Sequence, residues 1–390
     1  MSEWKKVKLG DLFSIKHGYA FSGEHIIEED NNVVLVTPGN FRIGGGFQER
    51  KCKFYDGEIP KDYILKEGDF IVTMTDLSKT IDTLGYSALV PKSDKRIYLH
   101  NQRIGLVQFK NDECDCEYIY WVMRTYDYQR AIANTSTGST VHHTSPSKIC
   151  DYECVVPDKA KQHRIATILS RYDSLIENYQ KQIKLLEEAA HRLYKEWFVD
   201  LRFPGYENVK MVDGLPEGWV RKTVGEVTLI KTGKKDANFG TDNGEYPFFT
   251  CAQEPIKAPS YSFDTSAVIL AGNGDFNVKL YRGKFEAYQR TYVLEPDNTK
   301  MLYLLYFCIS ENMNKLATGA SGSTIKFLTK GMIESLSIFE PSMKVVDSFN
   351  RIVEPIQSKK EHIQSQIRLL TEARDRLLPR LMGGEMELKE

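Results

Sequence analysis

Few residues of this chain stand at spacings that perform covalent chemistry. The adjacent pair His142-His143 is the nearest thing to a metal-ligand set. Neighbouring side chains on an extended strand point to opposite faces, however, and no third ligand stands nearby. The run VVPDKAKQ, Val155 to Gln162, holds part of a nuclease carboxylate pattern but lacks its second acidic residue. Asp158 suits a position before, or capping, a following helix. KTGKKDA, Lys231 to Ala237, lacks the spacing of a phosphate-binding loop. There is no Asn-Pro-Pro-Tyr or Asn-Pro-Pro-Phe tetrapeptide of an amino-methyltransferase, and no nucleophile, base and orienting group come together. Seven cysteines without a CxxC pair read as the reduced thiols of a cytoplasmic protein. The expectation is a chain without catalytic residues and without a metal.

Binding chemistry remains. Gly138-Ser139-Thr140-Val141-His142-His143 is answered 184 positions later by Gly322-Ser323-Thr324-Ile325-Lys326-Phe327. Short hydroxyl side chains and loop N–H groups suit phosphate oxygens. The same tripeptide also suits a tight turn that merely closes a domain. The offset of 184 continues without a gap: Ile149 falls on Ile333, Pro157 on Pro341, Gln182-Ile183 on Gln366-Ile367 and Arg192-Leu193 on Arg376-Leu377. Upstream the offset is 215, matching Trp4 with Trp219, Gly10 with Gly225, and Ile15-Lys16 and Gly18 with Ile230-Lys231 and Gly233. Between these, Gln102-Arg103 matches Gln289-Arg290 at an offset of 187. Similarity this extended marks a tandem duplication with insertions inside each half.

The elements that position these residues follow from periodicity. The first part of each half is mixed. Strands are expected at Val33–Thr37, Phe70–Met74, Gly105–Phe109 and Ala267–Leu270, broken by Gly, Asn and Asp turns, with helical stretches at Tyr118–Arg130 and Met301–Leu316. The second part is helical. Apolar residues recur every seven positions at 165, 172, 179, 186 and 193, with a flanking row at 169, 176, 183, 190 and 197; adding 184 gives Phe349, Ile356, Ile363, Leu370 and Leu377, with Val353, Ile367 and Leu381 beside them. The expected organisation is a mixed domain at 1–158, a helical region at 159–203, a second mixed domain at 204–342 and a second helical region at 343–390. Helices over 160–199 and 344–382, each roughly 45 Å for about 30 residues, would pair antiparallel about a pseudo-two-fold, with the mixed domains at opposite ends. Pro355 is expected to kink the second helix or mark its start. No apolar run spans a bilayer or makes a signal peptide.

This arrangement resembles the specificity subunit of type I restriction–modification systems. The openings W4KKVKLGDLFSIKHG and LPEGW219VRKTVGEVTLIKTG, the closings around the two Gly-Ser-Thr tripeptides, and the helical runs from Arg164 and Ile352 carry the resemblance. It covers nearly the whole chain and lies in the order and duplication of its parts. It implies mixed α/β (α+β) target recognition domains in a pseudo-two-fold tandem repeat with two long antiparallel coiled-coil helices. Each domain would read one half of a split double-stranded DNA site, with the helices as a ruler for the gap. Two methylation subunits would dock on the chain, and two restriction subunits would join them. S-adenosylmethionine, ATP and Mg are expected on those partners and no cofactor on this chain. Candidate DNA contacts are Lys16, Gln102, Arg103, Ser139, Thr140, His142 and His143 in the first half. In the second they are Lys231, Lys234, Gln289, Arg290, Ser323, Thr324 and Lys326. Tyr288 standing where the first half has Asn101 is a departure with no role assigned. A net charge of −1 is low for a protein that grips DNA unaided, and methylation subunits wrapping the duplex would supply the missing phosphate neutralisation. A fused nuclease–methylase partner, or a coiled-coil adaptor that binds no DNA, are the alternatives.

Overall fold

The computed structural model describes residues 4–50, 52–78, 80–322 and 326–386. The chain divides into two compact units, residues 1–178 with 366–390, and residues 179–365. Each unit thus takes one mixed domain and a part of both long helices. The division falls inside the helices instead of at the ends of the mixed domains.

The first unit closes by pairing its first strand with its last before the helix. Lys5–Lys8 lies antiparallel to Glu153–Val156, with Lys5 opposite Val156. A four-residue helical turn, Leu9–Leu12, buries Leu9 and Leu12 and delivers the strand Phe13–His17. That strand pairs with Ile104–Phe109, which pairs in turn with Phe70–Thr73. A separate five-stranded sheet contains the parallel pair Val33–Val36 and Ile97–His100. Alternating or continuous apolar runs at these positions bury Val34, Val36, Ile71, Val72 and Ile104.

The second unit repeats this frame in the same register. Val220–Thr223 pairs with Ser337–Glu340, Val220 opposite Glu340. Thr228–Thr232 pairs with Thr291–Pro296, which pairs with Phe263–Ala271. Tyr246–Phe249 lies parallel to Val278–Ala287. The opposition of Lys5 to Val156 and the pairing of Phe13–His17 with Ile104–Phe109 have their counterparts here at the offsets of 215, 184 and 187 found in the sequence. The surroundings differ. One six-stranded sheet replaces the first unit's separate four- and five-stranded sheets.

The long helices run over Lys159–Tyr194, continued by a π-turn at Lys195–Val199, and over Met343–Met382. Asp158 caps the first, its carboxylate accepting from the Lys161 N–H at 2.9 Å. The apolar stripe is where the seven-residue period puts it, and both expected rows supply its buried residues. Ile165, Leu169, Ile176, Ala190 and Trp197 are buried in the first helix and Phe349, Val353, Ile363 and Leu381 in the second, while Tyr172, Tyr179, Ile183, Leu186 and Leu193 are half-buried. The two helical segments run antiparallel within each unit. In the first, Asp173 pairs with Arg374 while Ile165 and Leu169 share a core with Leu378 and Leu381. In the second, Glu187 pairs with Lys360 and Trp197 packs on Phe349.

Two local expectations need correction. Pro355 does not start the second helix, which begins twelve residues earlier at Met343 and continues through it. It forgoes one backbone hydrogen bond, and a ring on a helix whose other face packs is tolerated at that cost. The helical stretch expected over Tyr118–Arg130 is two helices, Cys116–Val122 and Tyr126–Asn134. Thr125 breaks it by capping the second, accepting from the Tyr128 N–H. No helix among the described residues is long and apolar enough to cross a membrane.

Candidate nucleic-acid interface

In each unit the turn carrying Gln and Arg joins two strands of the frame. Ile104 N–H donates to Asn101 O at 2.9 Å and Thr291 N–H to Tyr288 O at 2.8 Å, so Gln102-Arg103 and Gln289-Arg290 occupy the two central positions of equivalent β-turns. All four residues are exposed. A glycine lets another strand cross beneath each turn. A Cβ on Gly18 would stand 2.1 Å from Asn101 O, and one on Gly233 would stand 1.9 Å from Ala287 O. The sequence match of Gly18 with Gly233 therefore marks a close backbone approach.

The residues that flank the two Gly-Ser-Thr segments pair in the same way. Thr137 and His143 exchange backbone hydrogen bonds at 3.0 and 2.9 Å; Ser321 and Phe327 do so at 3.0 and 2.8 Å. Gly138 and Gly322 adopt φ of 106° and 105°, the left-handed region where a side chain is strained. In the first hairpin a Cβ at Gly138 would also lie 2.0 Å from Val141 O.

Turn and hairpin are knitted to the same strand end. Met74 N–H donates to Arg103 O at 2.9 Å, and Met74 O accepts from Thr144 N–H at 3.0 Å. Gly272 N–H donates to Arg290 O at 2.8 Å, and Gly272 O accepts from Leu328 N–H at 2.8 Å. Thr144 and Leu328 are themselves 184 positions apart. One three-part frame is thus built twice, with an exposed Gln-Arg turn and a small-residue hairpin side by side.

The candidates sort as follows. Arg103 and Arg290 carry no ion pair or side-chain hydrogen bond among the described residues. Gln289 donates to Asp236 Oδ1 at 3.0 Å. Ser139 and Thr140 are exposed at the hairpin tip. His143 is exposed and its Nδ1 lies 3.2 Å from Thr75 Oγ1, whereas His142 Nδ1 is buried without a partner. Lys326 and Lys234 are exposed. Lys16 and Lys231 occupy equivalent strand positions but are held by their own units. Lys16 donates to Asp62 O at 3.0 Å and sits over Tyr63, and Lys231 pairs with Glu295 at 3.2 Å. Ser323 and Thr324 lie outside the described residues. No group of His, Cys, Asp and Glu suited to a metal is found among the described residues.

Sequence reasoning missed Asp76, a buried carboxylate at the foot of the first hairpin, and the hydrogen-bonded pair Gln253 and Asp275. Neither has a counterpart in the other half, so the repeat gave no signal for them.

Tandem mixed domains, each running into a long helix and each presenting this frame, are the class of protein the fold defines. A family model for the type I restriction modification DNA specificity domain matches residues 1–188 and 216–368. The chain belongs to that family. It is 39% identical over 176 residues to the type I restriction enzyme EcoDI specificity subunit of Escherichia coli, covering 44% of this chain and 39% of that protein. It is 26% identical over 303 residues to the MjaIX specificity subunit of Methanocaldococcus jannaschii, covering 70% of each. The fold matches a crystal structure of a type I restriction-modification system S subunit from M. genitalium with a TM-score of 0.59 at 16% identity, covering 100% of this chain and 97% of that one.

Proposed function

We propose that this chain is the non-catalytic DNA-recognition subunit of a type I restriction–modification complex in the cytoplasm. It recognises a split double-stranded site, one recognition domain per half-site. The paired helices set the gap between the half-sites. Two methylation subunits dock on the chain and carry S-adenosylmethionine; two restriction subunits join with ATP and Mg. The carrying observation is the frame built twice with the same hydrogen bonds, surrounded by loops that differ. A repeated frame suits contacts to a repeated feature, the phosphate backbone, and divergent loops suit two different base sequences.

Exchange of residues 1–158 for the first domain of a relative tests this. In the complex reconstituted with its methylation subunits, the methylated sequence should change in one half only, and the half read by residues 204–342 should stay. A swap that rewrites both halves, or neither, refutes the division of labour.

A further inference from the structure

The strands ending at Thr73 and Ala271 hold the same place in the two frames, yet the chain leaves them differently. In the first unit Thr75–Asp76 pairs with His142–His143 and an excursion follows to Gly85. Asp76 is 2% exposed and closes that excursion at its foot. Its carboxylate accepts from Ser78 N–H (2.6 Å), Thr83 N–H and Oγ1 (2.6 and 2.8 Å) and Leu84 N–H (3.1 Å). Burial alone would raise its pKa; the bonds from Ser78 and Thr83 outweigh burial and hold the carboxyl below its usual range. Gln129 Nε2 pins the far side by donating to Ile81 O at 2.6 Å, and Leu84 is sunk in the core. Leu77 stays outside, 59% exposed beside the hairpin stem.

In the second unit the excursion is a short reversal from Ala271 to Val278. Ala271 N–H donates to Asn277 O at 2.9 Å. Asn277 Nδ2 donates to Asp275 O at 2.7 Å and Cys251 O at 3.1 Å, which ties in the neighbouring loop. Across that tie Gln253 Nε2 donates to Asp275 Oδ2 at 2.8 Å, and both side chains are exposed.

We propose that side chains at these two excursions read the bases: Leu77 in the first half-site, and in the second Asp275 together with Gln253 of the neighbouring loop. The inference rests on the DNA-recognition role proposed above and names the side chains that carry it out. Parts built alike in both units cannot tell two different half-sites apart, so discrimination belongs to exposed parts that differ. These two adjoin the frame, differ in every reading residue and are ordered by bonds within the protein, so little entropy is lost on binding. The chemistry of each differs as well. An exposed aliphatic side chain meets the 5-methyl group of thymine; a glutamine amide pairs with the N6/N7 edge of adenine, and a carboxylate accepts from the N4 amino group of cytosine. The first half-site therefore contains a thymine contact, and the second an adenine or cytosine contact in the major groove.

The test uses the full chain with its methylation subunits and a randomised double-stranded DNA library, sequencing the bound fraction. Gln253→Ala with Asp275→Ala should reduce discrimination roughly tenfold at one or two positions of one half-site, leaving the other half-site as an internal control of folding and assembly. Asp275→Asn should change the preferred base at one position, because an amide can donate where a carboxylate cannot. Leu77→Ala should lower the preference for thymine in the other half-site only. Unchanged preferences in all three variants, or equal weakening of both halves, overturn the assignment of the readers while leaving the chain a DNA-recognition subunit. A wild-type complex that selects no sequence overturns the functional reading and this inference with it.

Discussion

The two units solve one packing problem with opposite chemistry. In the first, the mixed domain meets the helical segments through a buried ionic group. Arg124, 4% exposed, donates to Asp173, to the Tyr120 hydroxyl at 2.8 Å and to Gly44 O at 2.9 Å, and its guanidinium lies 4.2 Å from the Trp121 ring centre. Asp173 also takes Arg374 at 2.5 Å. At the positions 184 away, the second unit has Gln357 in place of Asp173 and Ala190 in place of Arg374. Its interior is aromatic instead: Phe307 lies 5.7 Å from Tyr194 and 6.0 Å from Phe349, and Phe349 lies 4.9 Å from Phe198. After duplication the frame kept its register and the helical stripe its period, because each constrains many neighbours at once. The junction between them had only to be filled and satisfied, so charge and aromatic packing both serve.

The largest expected effect follows from the ionic junction. Asp173→Ala leaves Arg124 and Arg374 without their shared counter-ion and should cost about 3–5 kcal/mol. Replacing all three, as Arg124→Met, Asp173→Leu and Arg374→Met, should be near neutral or stabilising, since the desolvation of three charges disappears with them. Hydrogen exchange at the helical segments of the first unit reads both, and equal losses in the single and triple variants would mean that packing, not charge, holds the junction. The acid limb should agree. Burial of Asp173 opposes ionisation, but Arg124 and Arg374 prevail and keep its carboxyl below the usual range. The contribution of a depressed carboxylate is complete above its unfolded value near 4 and is lost as pH falls through its folded value. Acid should therefore loosen this junction, while Gln357 and Ala190 in the second unit are indifferent to pH.

A middle-sized effect probes what the units share. Gly138→Ala and Gly322→Ala each place a side chain at a φ near 105° and should each cost about 1–3 kcal/mol. Thermal unfolding followed by methyl-transfer assays on the reconstituted complex compares the two. Near-equal costs sharpen the view that one hairpin was copied with its geometry; a free substitution at one of them breaks it.

Legibility in the sequence tracks these constraints. The helices could be read from Ile165 to Leu193 because a seven-residue period is a one-dimensional signal, although the period did not reveal that Leu169 and Ile176 are as covered as Ile165 while Tyr172 and Tyr179 stay half-buried. The domain-closing strands could be read as matching ends at Trp4 and Trp219. The bond from Met74 to Arg103 could not, because Arg103 and Thr144 match their counterparts at offsets of 187 and 184 but Met74 matches Gly272 at 198, an offset no sequence similarity marks. Arg124 looked like a helical residue because propensity carries no trace of a counter-ion 49 positions away. Asp76, Gln253 and Asp275 were invisible since nothing repeats them, and a residue that discriminates between half-sites has reason not to repeat.

The smallest effect concerns the second unit's own link between its helical segments. Glu187 and Lys360 pair at 3.3 Å, with the glutamate side chain 46% exposed and the lysine 12%. This occupies the role that Asp173 and Arg374 fill in the first unit, but at the solvent boundary. An ion pair with one partner half in water gains little over hydration and is screened by salt, so Glu187→Gln should cost below about 1 kcal/mol and less at high ionic strength. Lys360→Ala should cost more than Glu187→Gln, since its ammonium also lies 5.8 Å from the Tyr306 ring centre and its stem is covered. A double-mutant cycle on the pair, read by urea unfolding at low and high salt, isolates the coupling. A coupling of several kcal/mol that survives salt would place a charge-dependent junction in both units, and the contrast between an ionic first half and an aromatic second half would fall.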